Sequence, residues 1–542
     1  MQTNSLYYGD NLEILRHHIP NESVDLIYLD PPFNSNRSYN VLFKERSGAA
    51  SEAQIEAFED TWHWEGAAGV YHDMMSDGPP EVARMLRAMV EGLGHNDVTA
   101  YLTMMAIRLV ELRRVLKQNG SIYLHCDPTA GPYLRVLMDA TFGPTNFVNE
   151  IVWKRFSSHG NVNSAFGKIH DTILFYRRSP EGAWNQLYRP LSEKYVNSFF
   201  THFEEGTNRR YRLQNVLNPN KDRPNLTYDW NGHTRVWKWT RERMQQLHDA
   251  GVLEYSRTGL LKGFRQYLDD SPGEKLQDVW DDIKPVGQSD DRDLGYNTQK
   301  PLALLERILL ASSDEGAIVL DPFCGCGTAV HAAQKLNRQW IGIDVTHLAI
   351  NVMRRRLTDA FPGIEITVVG EPKDLDGARE LAARDKFQFQ WWALDVLDAQ
   401  PVAGKTKGRD RGVDGVISFF ESPPDNYGHI IVSVKGGENV GPTAVRDLKG
   451  VVEREGASMG ILLSLNTPTS EMMREAATGG MYENQFWQRT FPRIQIVTVE
   501  DLLQGKGAEL PPKRRQYAQA AREEVRALQL TLRDAPIAQE DD

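Results

Sequence analysis

The sequence is poor in cysteine and in long apolar runs, and both shortages limit what the protein can be. Three cysteines occur in 542 residues, too few for a disulfide scaffold, which fits a reducing compartment. No apolar run approaches the roughly 20 residues that a membrane-spanning helix requires. The first residues, Met1 to Ser5, are polar and lack the apolar core of a signal peptide. We therefore expect a cytoplasmic protein with no membrane partner.

The overall composition is that of a globular protein. Hydrophobic residues make up 41% of the chain and charged residues 25%, and the length suits about two to four domains. The net charge of −11 argues only weakly against nucleic acid, because only the contacting face of a protein must be basic.

Two motifs each follow an apolar run that predicts a buried strand. The residues Leu26 to Leu29 precede Asp30-Pro31-Pro32-Phe33. The residues Ala317 to Leu320 precede Asp321-Pro322-Phe323-Cys324-Gly325-Cys326-Gly327-Thr328. Ligands in open α/β sheets bind at the carboxyl ends of such strands. We therefore predict an α/β fold with a ligand site at each motif.

The second motif has the pattern of a nucleotide-like cofactor site. Gly325 and Gly327 lie where a predicted strand turns into a helix, and glycine lets backbone N–H groups approach a ligand closely. Asp344 ends the next predicted strand, where a carboxylate can bind ribose hydroxyls. Dinucleotide binding would use a third glycine, which the residues after Gly327 do not supply. The pattern favours S-adenosylmethionine. Cys324 and Cys326 are better interpreted as small turn residues than as a metal pair.

The first motif suits a reaction at an aromatic amine. Such an amine is a poor nucleophile because its lone pair is delocalised, and two acceptors aimed at its N–H bonds favour a pyramidal nitrogen. Asp30 and the carbonyl of Pro31 can supply those acceptors, and the two prolines hold the turn rigid. Phe33 supplies a flat face for a base that has left the duplex stack.

These motifs, with four further segments, resemble the β class of amino-group DNA methyltransferases, in which the catalytic motif precedes the cofactor motif. The further segments are Gly9 to Leu12, His125 to Asp127, Asn149 to Trp153 and His170 to Tyr176. The resemblance covers about residues 5–360. It implies a Rossmann-like methyltransferase sheet with an inserted target-recognition region. An initial Asp in the catalytic motif points to adenine N6, whereas Ser more often indicates cytosine N4 and Asn a protein substrate.

The resemblance also implies which residues bind the cofactor. Phe323 and the two glycines would contact the methionine portion, Asp344 the ribose and Asp10 the adenine. The segment Thr298-Gln299-Lys300-Pro301 would close the site, although it also fits a helix start with Thr298 as cap and Pro301 in the first turn. The full predicted set is Asp10, Thr298, Lys300, Asp321, Phe323, Gly325, Gly327 and Asp344.

The chain divides into five predicted segments. They are a catalytic segment 1–180, a target-recognition region 181–290, a cofactor-binding segment 291–376, a second α/β module 385–505 and a helical, acidic tail 506–542. Within the first segment, Asn96 or Asp97 is predicted to cap a helix that Gly120 ends.

The recognition region contains cations and aromatic residues that suit phosphates and unstacked bases: Arg209-Arg210-Tyr211-Arg212, Trp230-Asn231, Trp237-Lys238-Trp239, Arg241 and Arg243. The alternative for any one of these residues is an ordinary small domain with a solvated cationic face and two buried tryptophans.

The second module resembles PD-(D/E)XK nucleases of the Mrr-like branch. Asp414 precedes one predicted strand, and Ser433 and Lys435 lie on the next. In that family, carboxylates hold Mg²⁺ and the lysine stabilises transition-state charge. Ser433 replaces the usual acidic or amide ligand, and an upstream helix that often supplies an acid has Gln388 and Gln390. Asp414 is thus the single sure carboxylate of this site, so we expect any Mg²⁺ to bind weakly there. An active nuclease and a fold kept for DNA binding or assembly both remain open.

We therefore expect a site-specific, S-adenosylmethionine-dependent adenine-N6 methyltransferase that acts on double-stranded DNA in restriction-modification or phage defence. It would work as a homodimer or with a restriction-system partner subunit. The alternatives are a catalytically inactive DNA-binding subunit, cytosine-N4 specificity, and RNA as the substrate.

Overall fold

The computed structural model describes residues 1–32, 64–127, 130–156, 166–286, 299–402, 412–422, 426–437 and 439–512, with the backbone of two strands over 38–44 and 50–59. Phe33 and Thr298 lie outside the described residues. Two compact units divide this portion of the chain: residues 1–185 with 278–512, and residues 186–277. The predicted recognition region, 181–290, encloses the second unit.

The N-terminal segment alternates strands and helices. Its elements are β1 Ser5–Tyr8, α1 Asn11–His18, β2 Val24–Leu29, β3 Ser38–Lys44, β4 Ala50–Glu59, α2 Trp64–Asp77, α3 Pro80–Leu93, α4 Asp97–Val115, β5 Leu116–Cys126, α5 Gly131–Phe142, β6 Phe147–Lys154 and β7 His170–Arg177.

Helix α4 begins as the sequence predicts and ends earlier than predicted. The Asn96 side chain accepts from the Thr99 backbone N–H and the Thr99 side chain accepts from the Asn96 N–H, which forms a capping box. The helix ends at Val115 and not at Gly120. In the pairing of β2 with β5, Val24 lies opposite Leu116, and regular pairing resumes where Leu26 lies opposite Ser121. Gly120 therefore lies in a bulge of β5 and does not terminate a helix.

The second unit is a small module of short strands. Its elements are β8 Tyr188–Arg189, α6 Glu193–Phe199, β9 His202–Phe203, β10 Arg210–Gln214, β11 Thr227–Trp230, β12 His233–Val236, α7 Arg241–Asp249, β13 Leu253–Tyr255, β14 Leu261–Tyr267 and β15 Glu274–Lys275. Trp230 and Trp237 are buried with Met244 and Leu247 of α7 in its core. Two buried tryptophans were part of the alternative interpretation, in which this segment is an ordinary small domain.

The chain then returns to the first unit with a regular βαβ pattern. The elements are β16 Val279–Trp280, α8 Leu302–Ser312, β17 Ile318–Asp321, α9 Thr328–Lys335, β18 Gln339–Asp344, α10 His347–Ala360, β19 Thr367–Val369 and α11 Leu375–Arg384. Helix α8 begins at Leu302 with Pro301 as its N-cap residue, whereas the sequence predicts a helix from Thr298.

The two halves of the first unit build one nine-stranded sheet in the order β16-β6-β7-β5-β2-β17-β18-β1-β19. Strand β7 runs antiparallel to β5 and β6, and the other pairings are parallel. Strands β2 and β17, about 290 residues apart in the sequence, are neighbours at the centre. This mixed, mainly parallel sheet agrees with the Rossmann-like α/β fold that the sequence predicts.

The C-terminal module has its own sheet. Its elements are α12 Lys386–Val396, β20 Gln400–Pro401, β21 Gly415–Ser422, β22 Asn426–Lys435, α13 Pro442–Arg454, β23 Met459–Ser464, α14 Ser470–Ala477, β24 Met481–Asn484, β25 Arg489–Pro492, β26 Ile494–Thr498 and α15 Val499–Leu503. The five-stranded order is β20-β21-β22-β23-β26. One apolar core joins this module to the large sheet through residues such as Phe389 and Trp392.

Among the described residues, no helix combines the length and the apolar character needed to cross a bilayer.

Candidate functional site

Four predicted acids follow four neighbouring parallel strands. Asp30 directly follows β2, Asp321 ends β17, and Asp344 ends β18. Asp10 is the second residue after β1. These strands are adjacent in the order β2-β17-β18-β1. The carboxyl ends of parallel strands lie at one edge of a sheet. The fold therefore brings the two predicted motifs, separated by almost 300 residues, to one place.

The turn after β17 has the backbone that its glycines predict. Gly325 and Gly327 have φ values of 51° and 78°, in the left-handed region that favours glycine. A Cβ added to Gly327 would lie 2.6 Å from Met353 Cγ, so a larger residue would also have to displace the Met353 side chain. Phe323 is half-buried beside this turn. The backbone of this turn thus requires glycine at both positions.

Asp344 is held in place at the end of β18. Its Oδ2 accepts from the Gly325 N–H at 2.9 Å, and its Oδ1 accepts from the N–H of Thr346 at 2.9 Å and from the Thr346 hydroxyl at 3.0 Å. Burial raises the pKa of Asp344 to about 6, and these hydrogen bonds act in the opposite direction. The carboxylate is therefore oriented toward the glycine turn and is ionised at neutral pH.

Asp321 is buried beneath the same turn. Its Oδ1 accepts from the Phe323 N–H at 3.1 Å. Burial raises the pKa of Asp321 to about 8, with a further increase from the charges of Asp30 and Asp344. A neutral side chain at neutral pH fits a role in shaping the turn more than a role in binding a cation.

Asp10 belongs to a hydrogen-bonded chain that the sequence patterns did not reveal. Arg108 Nη2 donates to Oδ1 and Oδ2 of Asp10 at 3.1 and 3.0 Å, and Arg108 Nε donates to Asn11 Oδ1 at 2.6 Å. Asn11 Nδ2 in turn donates to the carbonyl of Pro322 at 2.8 Å. The Asp10 side chain remains 50% exposed while that of Arg108 is 4% exposed. Asp10 is therefore fixed and still open to a ligand.

A signal for Arg108 was present in the sequence. It lies on the apolar face of α4 that carries Leu102, Met105, Leu109 and Leu112, all of them buried. A charged residue within such a face needs a buried partner, and in this structure the partner is Asp10.

Asp30 meets Lys300 in the structure. The ammonium of Lys300 donates to Asp30 Oδ2, and both side chains are largely buried, at 12% and 17% exposure. Asp30 Oδ1 is buried and has no hydrogen-bond partner among the described residues. Pro31 and Pro32 are buried as well. One oxygen of the carboxylate is thus engaged, and the other is an acceptor without a donor.

Behind Asp30 lies a buried polar chain that the sequence patterns also did not reveal. The Tyr28 hydroxyl lies 3.0 Å from His125 Nδ1, and His125 Nε2 lies 3.0 Å from Asp171 Oδ2. Arg155 Nε lies 3.2 Å from Asp171 Oδ1. Burial raises the pKa of Asp171, but His125 and Arg155 together bring it below its ordinary value. This chain ties the central strands β2, β5 and β7 together next to the catalytic motif.

Most of the arginines singled out in the recognition region are engaged within their own unit. Arg209 binds Asp269 and Asp270, Arg212 donates to Gln266 and Tyr195, and the remaining ones bind backbone carbonyls or amide oxygens. Each of these side chains therefore has an intramolecular role.

Asp414 and Ser433 of the nuclease-like set are in contact, and the hydrogen bonds found for Asp414 among the described residues involve no second acid. Asp414 Oδ1 accepts from Gln390 Nε2 at 3.0 Å, and Oδ2 accepts from the Ser433 hydroxyl at 3.2 Å and from the Val434 N–H at 2.6 Å. Lys435 is half-buried at the end of β22. The described residues contain no group of three or more His, Cys, Asp or Glu side chains that could hold a metal.

Comparison with known proteins agrees with this arrangement. The model of a DNA methylase family of N6 and N4 methyltransferases matches residues 24–354, more than half of the chain, and the protein belongs to this family. A second model, the NACHT-associated inactive restriction endonuclease 1, matches residues 388–504. The chain is therefore a member of this DNA methylase family, and its C-terminal module is similar to a restriction-endonuclease family described as inactive.

Individual relatives are DNA methyltransferases or a subunit of a restriction-modification enzyme. The type II methyltransferase M.EcaI of Enterobacter cloacae is 26% identical over 65% of this chain and 69% of its own length. The StyLTI Mod subunit of Salmonella typhimurium, a type III restriction-modification enzyme, is 28% identical over 61% of this chain. This chain spans about half of that subunit. The DNA adenine methyltransferase YhdJ of Escherichia coli is 26% identical over 66% of this chain and 83% of its own length.

Proposed function

We propose that this protein transfers a methyl group from S-adenosylmethionine to adenine N6 in double-stranded DNA, within a restriction-modification or phage-defence system. The observation that carries the proposal is Asp30, whose Oδ1 is a buried acceptor that receives no hydrogen bond from the described residues, at the sheet edge where the glycine turn lies. A buried acceptor without a partner costs free energy, which an incoming amine N–H would recover.

The residues at this edge fit S-adenosylmethionine. Gly325 and Gly327 give the turn its left-handed backbone, Asp344 presents an oriented carboxylate for ribose hydroxyls, and Asp10 presents an exposed carboxylate for adenine. Phe323 lies beside the same turn, and Lys300 is placed at Asp30. When bound, this cofactor supplies an electrophilic methyl group on a sulfonium centre.

The chain's own residues would prepare the target amine. Asp30 Oδ1 and the carbonyl of Pro31 accept the two N–H bonds and hold the nitrogen lone pair in one direction. Held in this way, the nitrogen would accept the methyl group that the bound cofactor would supply together with loss of its carbon–sulfur bond, and the extra proton would pass from the nitrogen to solvent. Phe33 is proposed to stack on the target base, and Thr298 to close the site with Lys300.

DNA contact is proposed for residues 186–277. Four exposed cations of this unit, Lys221, Arg223, Arg235 and Lys238, make no side-chain hydrogen bond or ion pair with the residues that the structure describes. Backbone hydrogen bonds from Asn218 N to Val236 O and from Lys238 N to Val216 O join the segments that carry them. Such cations suit phosphates. A restriction subunit or a second copy of the chain is the proposed protein partner.

The C-terminal module is proposed to bind no Mg²⁺. A PD-(D/E)XK site needs more than one carboxylate or amide oxygen at the metal. Both oxygens of Asp414 instead accept hydrogen bonds from N–H and O–H donors. Ser433 has taken the place of the second ligand. The module would then serve binding or assembly.

The test is transfer of a tritiated methyl group to mixed genomic DNA, followed by identification of the methylated base. We expect N6-methyladenine from the wild type and none from Asp30→Ala, while calorimetry shows that both bind S-adenosylmethionine equally. Methylated cytosine would correct the base, and methylated RNA alone would correct the substrate. Cofactor binding without transfer to any nucleic acid would overturn the proposal in favour of an inactive DNA-binding subunit.

A further inference from the structure

Helix α12 of the C-terminal module carries two glutamines that point to different partners. Gln388 and Gln390 are two residues apart, about 200° around a helix, so they face opposite sides. Gln390 donates to Asp414 in the nuclease-like sheet at 3.0 Å. Gln388 Oε1 instead accepts from the backbone N–H of His347 at 3.1 Å. Helix α12 therefore contacts both a nuclease-like residue, Asp414, and the methyltransferase part of the chain.

The residue that Gln388 holds lies next to the cofactor edge. His347 is the first residue of α10 and follows Asp344, Val345 and Thr346. The first N–H groups of a helix have no acceptor within the helix. The Thr346 side chain accepts from Ala349, and Gln388 supplies the acceptor for His347. The loop that begins with Asp344 is thus held by Gly325 at one end and by Gln388 at the other.

A second contact follows two turns later on both helices. Arg354 and Arg355 of α10 bind the carboxylate of Asp395 on α12, whose side chain is 8% exposed. Arg354 is seven residues after His347, and Asp395 is seven residues after Gln388, so the two helices run side by side in the same direction. The position of Gln388 against His347 is therefore set by the helix pair and not by one flexible side chain.

Gln388 is itself held at the start of α12. Asp385 caps this helix, because its Oδ1 accepts from the N–H groups of Phe387 at 2.9 Å and Gln388 at 3.1 Å. On the other side, the His347 ring is fully buried and stacks on Tyr8 at 3.5 Å between ring centroids. Both partners of the Gln388–His347 hydrogen bond are thus fixed in position.

We propose that the endonuclease-like module is a brace for the cofactor site, and that Gln388 is a positioning residue for S-adenosylmethionine. The inference rests on the proposed function, because it concerns how that same site is held. It gives the module a role that needs no cleavage chemistry. It also separates the two glutamines, because Gln388 serves the methyltransferase and Gln390 serves the module's own fold.

The test compares Gln388→Leu with Gln390→Leu in the full chain. Loss of one hydrogen bond predicts that Gln388→Leu weakens S-adenosylmethionine binding about fivefold and raises its KM to match, with kcat unchanged. Gln388→Glu keeps an acceptor oxygen and should restore both values. Gln390→Leu should lower the unfolding temperature without changing cofactor affinity. Hydrogen exchange should quicken in peptides over 345–350 in Gln388→Leu alone.

Three outcomes would overturn the brace. They are wild-type cofactor affinity in Gln388→Leu, equal losses in the two leucine variants, and failure of Gln388→Glu to restore binding. If Gln388→Leu does not fold, Gln388→Ala removes the same acceptor without added bulk, and the same comparison applies to it. A wild type that binds no S-adenosylmethionine would instead refute the proposed function.

Discussion

Lys300 and Asp30, 270 residues apart in the sequence, are in direct contact at the carboxyl edge of the central sheet. The contact uses one oxygen of the carboxylate and leaves the other buried without a donor among the described residues. Two segments that the sequence places in different halves of the chain thus share one acidic group. The lysine offsets the charge of the Asp30 carboxylate and fixes the rotation of this side chain. The position of Oδ1 is thereby fixed as well.

We therefore expect Lys300→Met to lower kcat about 10- to 100-fold, since a hydrogen bond to a charged group contributes about 1.5–3 kcal/mol. The measurement is single-turnover methyl transfer with saturating cofactor. Lys335→Met is the matched control, because Lys335 pairs with Glu306 on a neighbouring helix outside the site. Equal rates in wild type and Lys300→Met would show that the lysine does not orient Asp30.

Arg108 should matter for cofactor binding although it lies beneath the site. Arg108→Met leaves Asp10 without its bidentate partner and breaks the link through Asn11 to the Pro322 carbonyl. We expect the dissociation constant for S-adenosylmethionine to rise about tenfold or more, as hydrogen bonds to charged groups predict. Arg108→Lys should not restore binding, because an ammonium cannot contact both groups in the same way.

The control for this prediction is Arg16→Met, which removes a half-exposed arginine of α1 that pairs with Glu13 and Glu111. Its cofactor affinity should equal that of the wild type. If Arg16→Met and Arg108→Met weaken binding to the same extent, a general effect of lost charge would explain the result better than the buried chain.

Cofactor affinity should depend on pH through Asp344. The pKa of this carboxyl is raised to about 6, so it is ionised above that pH and protonated below it. The ionised form is the better acceptor for ribose hydroxyls, so affinity should rise as the pH increases through about 6 and level off above it. Calorimetric titrations from about pH 5 to 8 measure this change. Asp344→Asn should bind weakly and lack the step, and a step that survives in Asp344→Asn would assign it to another group.

The endonuclease-like module should not respond to Mg²⁺. Because both oxygens of Asp414 accept hydrogen bonds within the module, we expect no heat of Mg²⁺ binding and no shift of the unfolding temperature. Asp414→Ala should destabilise the protein by about 2 kcal/mol, since it leaves buried donors without an acceptor. Plasmid nicking should be absent from wild type and Lys435→Ala alike. Mg²⁺-dependent nicking that Lys435→Ala abolishes would show an active nuclease.

Local sequence signals predicted two features of the structure well. The capped start of α4, predicted at Asn96 or Asp97, and the glycine turn between β17 and α9 both agree with the structure. Each depends on residues close in the chain. The predicted stop at Gly120 was wrong because a β-bulge and a helix end both favour glycine, and only the pairing of β2 with β5 distinguishes them.

The side-chain partners were harder to predict. Gln388 and Gln390 were both interpreted as stand-ins for a nuclease acid, yet one of them contacts the methyltransferase. Arg209, Arg210 and Arg212 look like a DNA-binding run in the sequence, but the folded unit engages all three. The sequence shows that a residue is charged or amide-bearing, and it does not show which group lies opposite.

The sequence by itself determined the class of protein. Two strand-to-turn motifs, each complete within about eight residues, predicted this class through their resemblance to DNA methyltransferases, and short-range constraints on proline, glycine and acid placement define the turns themselves. The tertiary structure decided how the site is held: Lys300 at Asp30, Arg108 at Asp10 and Gln388 at His347. These contacts join residues far apart in the chain, and they depend on which strands become neighbours when the common core packs.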